Sequence, residues 1–334
     1  MYSDRLALYK KIEEMRESRV LLYVTGDRQN LETRIHSEVG DFFADHLDTF
    51  CLPKKISLII YSRGGDTLAG WMILNMIKLF CDEVEVIVPS KAHSTATLIC
   101  LGANKIVMTK QATLGPIDPS VNTPLNPQVP GAPPSARLPI SVEAVAGYFE
   151  LAKTLMGIKE ENNLTNVFLK LADQMHPVAL GDVYRARTQI QMLAEKLLKF
   201  HMKDADIIKK IISVLCSESG SHDYTVNRRE AKNDLKLPIE YPNDEFYQII
   251  RDIHMDVRRE LKLNEIFDPD VELGANPIIE SSTTRALLES VTGGSHKYIL
   301  KLHLKRVQIA GPAGPQPGVQ TQKLYEGWHH DPVT

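Results

Sequence analysis

The chain has 334 residues, enough for one large α/β domain with additions or for two ordinary domains. Hydrophobic residues make up 43% and charged residues 24%, a globular balance that predicts a sizeable buried core. With 39 basic against 42 acidic side chains and a net charge of −3, no electrostatic drive towards nucleic acid or an anionic membrane is expected.

The opening residues, Met1-Tyr2-Ser3-Asp4-Arg5, lead into a charged stretch without the apolar segment of a signal peptide. No run approaches the roughly 20 apolar residues that span a bilayer. Cys51, Cys81, Cys100 and Cys216 form no CxxC pair, which suits free thiols in a reducing compartment. A cytoplasmic location is therefore expected.

In chain order, residues 1–18 read as a charged N-terminal helix, and Arg19–Thr25 as a buried strand. Residues 36–50 have helical spacing, with Val39, Phe42, Phe43 and Leu47 on one side. The strand Lys55–Tyr61 runs into Ser62-Arg63-Gly64-Gly65-Asp66, and Thr67–Phe80 repeats apolar residues at helical spacing. Residues 84–89 form a third strand, 94–103 a buried helix, and Lys105–Met108 a fourth strand. Such alternation predicts a mostly parallel sheet covered by helices.

Eight prolines lie between Pro116 and Pro139, which excludes a helix or central strand and predicts a long loop over 119–140. Residues 141–218 read as helical, with a long amphipathic helix over 188–202 and another over 243–262. Residues 297–307 alternate apolar and basic residues, as an edge or surface strand does. From Ala310 onward, Gly, Pro and Gln predict a disordered tail, and the His329-His330 pair within it is no metal ligand set.

Two features occupy matched positions after strands: Gly64-Gly65 and Ala92-His93-Ser94-Thr95-Ala96-Thr97. The combination suits acyl transfer. A serine hydroxyl attacking a carbonyl creates an oxyanion, and that charge needs fixed amide donors. Glycines allow close backbone approach, and a helix start supplies free N–H groups. The Gly65 and Thr95 amides, with Gly64 beside them, are the candidate oxyanion hole around Ser94. Read alone, the glycine pair is also an ordinary turn, and Ser94 an ordinary helix cap.

The next segment, Ala112-Thr113-Leu114-Gly115-Pro116-Ile117-Asp118-Pro119, completes a pattern. From roughly Leu21 to Leu237 the chain resembles the serine dehydrogenase proteinases, relatives of signal-peptide peptidase A, NfeD-type proteases and the Clp proteolytic subunit. The family's Ser-Ala-Gly-Thr helix start stands here as Ser94-Thr95-Ala96-Thr97, with Ala96 in place of glycine. The resemblance implies an α/β fold of the Clp/crotonase type over 19–240, with a helical insertion at 141–175 and a handle helix. A C-terminal αβ extension over 241–309 follows. Handle helices of this superfamily pack between subunits, so a homo-oligomer is expected.

The same resemblance implies a serine peptidase on peptide or protein substrates. His176, in His176-Pro177-Val178-Ala179, is similar to the Clp histidine segment, and Asp223 to the Clp aspartate. On that reading His176 takes the Ser94 proton and Asp223 orients the imidazole. Asp118 and His222 are other bases, and a Ser–Lys dyad would use Lys153 or Lys110. Against these stand plainer roles: a helix cap for His176, a solvated loop residue for Asp223, and solvated surface positions for His222 and both lysines. No cofactor is expected, since no Walker or Rossmann fingerprint occurs, and any ATP-driven unfoldase would be a separate chain. A crotonase-like acyl-CoA enzyme and a non-catalytic assembly module are the alternatives on the same fold.

Overall fold

The computed structural model describes residues 1–117, 120–133, 135–218, 223–311 and 314–331. They divide into two compact units: Met1–Leu114 with Val226–Thr334, and Gly115–Thr225.

In the first unit, helix α1 (Tyr2–Arg16) precedes β1 (Arg19–Thr25). Then come α2 (Gly40–Asp48), β2 (Lys55–Tyr61), α3 (Thr67–Phe80), β3 (Glu83–Val88) and the short β4 (Lys91–Ala92). Helix α4 (Thr95–Leu101), β5 (Lys105–Met108) and β6 (Thr113–Leu114) complete this half. Every residue of β1, β2 and β3 after the first is buried, as expected of strands covered on both faces.

The second unit holds β7 (Ser120–Val121), β8 (Ile140–Ser141), α5 (Val142–Glu150), α6 (Glu161–Gln174), α7 (Pro177–Leu198) and α8 (Ala205–Ser213). Its core gathers Val121, Ile140, Val142, Ala179 and Val183. Among the described residues, the proline-rich segment carries the β7–β8 pair and one isolated bridge, Gln128 to Arg137. Proline's missing N–H forbids a longer ladder.

The chain re-enters the first unit at β9 (Val226–Asn227), followed by α9 (Arg228–Asn233), β10 (Ile239–Glu240), α10 (Asp244–Glu260) and α11 (Pro269–Leu273). Three long strands end it: β11 (Ile278–Ser290), β12 (Gly294–Gly311) and β13 (Gly314–Asp331). The main sheet runs β10-β5-β3-β2-β1-β11-β12-β13. Its first five strands are parallel and its last three antiparallel. The expected α/β fold with a parallel core is present, and it continues into an antiparallel wing.

Three boundaries differ from the sequence expectation. The N-terminal helix is part of the first unit, because fully buried Arg5 joins Glu289 of β11 through two hydrogen bonds, at 2.9 and 2.6 Å. The same guanidinium reaches Asp256 and Glu260 of α10 at 2.5 and 2.7 Å. Residues 241–309, expected as a C-terminal αβ extension, add β11 and most of β12 to the core sheet. The expected tail is a strand over most of its length: β13 pairs with β12 from Gly311↔Gly314 to Ser295↔Asp331. A Gly-, Pro- and Gln-rich composition suggests little structure, but backbone pairing to an existing edge does not depend on it, and Val319 and Trp328 add side-chain packing against a core cluster and against Phe42 and Tyr298. Strand β12, read as an edge, is thereby internal. Among the described residues, no helix is long and apolar enough to cross a membrane.

Candidate active site

The carboxyl ends of β2 and β3 carry the two segments singled out from the sequence. Ligands of open α/β sheets sit at that edge. After β2 come Ser62-Arg63-Gly64-Gly65-Asp66; after β3 comes β4 and then His93-Ser94 at the start of α4.

Ser94 occupies the N-cap position of α4 with φ 52° and ψ −119°. This is a sparsely populated region for a residue with a Cβ, and such strain persists only where the surroundings over-determine it. A serine on a strained strand-to-helix turn is the geometry of a nucleophile elbow. The hydroxyl does not cap the helix, and none of the described residues hydrogen-bonds it. The plain reading of Ser94 as a helix cap therefore does not describe this structure.

Gly64 lies directly against the serine. A Cβ built on Gly64 would sit 2.6 Å from Ser94 Cβ and 3.0 Å from its Oγ, and Gly64 has φ +108°. Gly65 is pressed on Ile35, where a Cβ would fall 2.2 Å from the carbonyl oxygen. Ile35 clamps the turn from both sides: its N–H donates to Gly64 O at 2.9 Å, and its carbonyl accepts from Asp66 N–H at 2.8 Å. No motif marked Ile35 in the sequence, because it acts through its backbone. The Thr95 hydroxyl donates to Gly65 O at 2.8 Å and ties the glycine turn to the helix start.

The donors sort clearly. The Gly64 N–H donates to Ser62 Oγ at 2.9 Å, so it is engaged within the turn. Among the described residues, neither the Gly65 nor the Thr95 amide has an acceptor. Two unengaged N–H groups, one at a helix N-terminus, flank an unengaged serine hydroxyl. Chemically, that set can hold a developing oxyanion.

Several other polar and titratable residues lie on or beside these elements. His93 Nε2 lies 2.9 Å from Thr113 Oγ1. Asp27 accepts from the Tyr61 hydroxyl at 2.7 Å and from Lys91 Nζ at 2.6 Å. Burial, and then the Asp27 charge, push the Tyr61 phenol well above its ordinary range. Burial lowers His254 to about 4, helped by Arg258 and Lys91, so its ring is neutral at pH 7. Cys100, buried in α4, has a thiol held well above its ordinary range by burial, which makes it an inert core residue.

The expected bases are less concentrated. His176 and Asp223 both belong to the second unit. His176 caps α7, its Nδ1 accepting the Val178 N–H at 3.2 Å. In that arrangement a neutral ring carries its proton on Nε2, the reverse of the tautomer that accepts from a serine. Asp223 is exposed. Lys153 is exposed on a π-helical turn, and exposed Lys110 lies over the Tyr247 ring at 5.4 Å. Neither lysine is desolvated, the condition for a lysine base. Asp118 and His222 lie outside the described residues.

Residues 49–130 match a family model described as ClpP-like SDH-type serine proteinase. Uncharacterized protein MJ0137 of Methanocaldococcus jannaschii is 31% identical over 179 residues, 54% of this chain and 51% of that protein. Uncharacterized protein MJ1495 of the same organism is 32% identical over 125 residues, 35% of this chain and 42% of that one. The chain thus spans about half the length, or less, of these curated relatives. Among solved structures, a mutant of the 1510-N membrane-bound stomatin-specific protease shares 15% identity at a TM-score of 0.38, over 73% of this chain and 86% of that one. ClpP1 from Listeria monocytogenes shares 16% at a TM-score of 0.37, over 71% and 99%. Likeness at that level carries no argument about this chain. The sequence match covers both the glycine turn and Ser94: residues 49–130 are similar to the ClpP-like SDH-type serine proteinases.

Proposed function

We propose that this chain is a serine peptidase that opens peptide bonds through an acyl-enzyme on Ser94. The observation that carries the reading is the strained Ser94 at the start of α4, its hydroxyl unengaged and pressed against Gly64. Ser94 Oγ adds to the peptide carbonyl carbon and gives up its proton to a base. The carbonyl oxygen becomes an oxyanion, held by the Gly65 and Thr95 amides. Collapse of the tetrahedral adduct breaks the C–N bond, and the base returns the proton to the leaving amine. Water then repeats the sequence on the ester and frees Ser94.

His176 is the proposed base and Asp223 its orienting partner, both from the second unit. In this role His176 gives up its cap on Val178 and takes the tautomer with its proton on Nδ1, leaving Nε2 as the acceptor. The exposed His176 ring is free to make that change. Peptide or protein is the proposed substrate, a homo-oligomer the proposed assembly, and any unfolding motor a separate chain. A crotonase-type acyl-CoA reaction would use the same amides without a nucleophile, and would give Ser94 no reason to be strained.

The test is labelling with a fluorophosphonate probe and peptide mapping. Modification of Ser94, absent in Ser94→Ala, is the expected result. An unlabelled Ser94 in folded protein sinks the proposal.

A further inference from the structure

Ser62 is fully buried and stands between the two halves of the site. Its backbone is laddered to the segment that carries the nucleophile: the Ser62 N–H donates to Lys91 O at 3.2 Å, and its carbonyl accepts the His93 N–H at 3.0 Å. Its side chain faces the other half. Ser62 Oγ accepts the Gly64 N–H at 2.9 Å and shares a hydrogen bond of 2.6 Å with Thr25 Oγ1, which is also buried. One residue thus holds the nucleophile's strand by its main chain and the glycine turn by its hydroxyl.

The turn needs such a hold. Gly64 and Gly65 have φ values of +108° and +157°, and glycine restricts neither dihedral. The Gly64–Gly65 peptide can therefore rotate unless its neighbours fix it. Rotation would swing the Gly65 N–H away from the position where the oxyanion forms. That peptide is held at its carbonyl, Gly64 O, by the Ile35 N–H at 2.9 Å, and the preceding peptide is held at the Gly64 N–H by Ser62 Oγ; with both planes fixed, the unengaged Gly65 N–H keeps one direction. The Thr25 hydroxyl fixes the Ser62 rotamer in turn, since a buried hydroxyl keeps the orientation that satisfies its partner.

We infer that Ser62, held by Thr25, is a positioning residue that fixes the Gly64-Gly65 turn relative to Ser94, so that the Gly65 amide meets the transition state. The inference rests on the serine-nucleophile reading above. Ser62 touches no reacting atom. Its loss is therefore felt in the chemical step and not in substrate affinity, and small misplacements of such groups cost about 10- to 100-fold in rate.

The experiment uses a fluorophosphonate, whose P–O oxygen takes the oxyanion's place, on the full chain. The rate of Ser94 modification is separated into the saturating rate kinact and the half-saturating concentration KI. Four variants are compared: Ser62→Ala, Thr25→Val, which keeps shape without the hydroxyl, Thr25→Ser, which keeps the hydroxyl, and Ser94→Ala. Ser62→Ala and Thr25→Val are expected to lower kinact about 10- to 100-fold and about severalfold respectively, with KI unchanged. Thr25→Ser is expected to retain wild-type kinact. A merely structural role would lower the labelled fraction with the folded fraction, leaving kinact of the folded molecules intact. If Ser62→Ala does not fold, the contrast between Thr25→Val and Thr25→Ser decides. Wild-type kinact in folded Ser62→Ala, or in Thr25→Val when Ser62→Ala is unfolded, overturns the inference while the nucleophile reading stands. An unlabelled wild type overturns the nucleophile reading itself, and this inference with it.

Discussion

Gly64 is a position where one methyl group would act directly on the nucleophile. Its Cα lies so close to Ser94 that a Cβ would meet the serine Cβ at 2.6 Å, and its φ of +108° disfavours any side chain. Gly64→Ala is expected to lower Ser94 labelling by about 100-fold or more, through displacement of the nucleophile, with most of the fold intact. A labelling time course beside a thermal melt checks this, and near-normal labelling would show that the elbow is softer than its contacts imply. The placement of the glycine pair and Ser94 directly after strands was legible in the sequence, because strand periodicity and glycine are readable position by position. Ile35 and Ser62 were not: one works through its main chain and the other through a hydroxyl that looks like any turn serine.

Helix α1 is held to the sheet by charge as well as by apolar packing. Glu289 is fully buried and accepts from Arg5, from the Tyr9 hydroxyl at 2.6 Å and from the Ser295 hydroxyl at 2.8 Å. Glu289→Ala leaves a buried guanidinium short of its main partner, and breaking such a pair costs about 3–5 kcal/mol. Urea denaturation should show that loss; a change below about 1 kcal/mol would mean that Asp256 and Glu260 suffice for Arg5. Strands β12 and β13 dock on α2 through histidines. His46 Nε2 lies 2.9 Å from His296 Nδ1, and the His296 ring stacks on His330 at 4.1 Å. Ser290 hydrogen-bonds His46, the Phe42 ring lies beside His296, and Asp45 is the acid that opposes the downward shift of His296. Burial lowers His46 to about 3, with His296 and His330 adding to it, and lowers His296 to about 4, with His330 adding. Both values lie below the ordinary 6.5, so on acidification the unfolded chain binds protons first. The neutral rings contribute their full stability above about pH 6.5. It is then lost, at about 1.4 kcal/mol per pH unit for each ring, as pH falls towards the folded values. Melting temperatures between pH 7 and 4.5 should fall accordingly, and His296→Gln should flatten the slope. An unchanged slope would remove the histidines from the account.

The second unit is inserted between two strands that lie side by side, since Leu114 of β6 pairs with Val226 of β9. Antiparallel partners stand about 5 Å apart, so a few residues bridge the gap. Replacing residues 116–225 by a short Gly/Ser linker is therefore expected to leave a first unit that melts cooperatively. On the proposed mechanism it also removes His176 and Asp223, so Ser94 labelling should fall by at least about 100-fold. Retained labelling would place the base in the first unit, where His93 is the residue beside the nucleophile.

The sequence by itself determined the parallel core, the strand–turn segments at its carboxyl edge and the serine within them. Those features depend on local periodicity and on residues such as glycine, whose chemistry is readable one position at a time. Tertiary structure decided what depends on distant pairing. A Gly- and Gln-rich end became β13 because β12 offered it an edge, and a charged N-terminal helix joined the core because Arg5 met a carboxylate 284 residues away. It likewise decided which glycine amide stays unengaged, a matter settled by where the Ser62 hydroxyl lands in three dimensions.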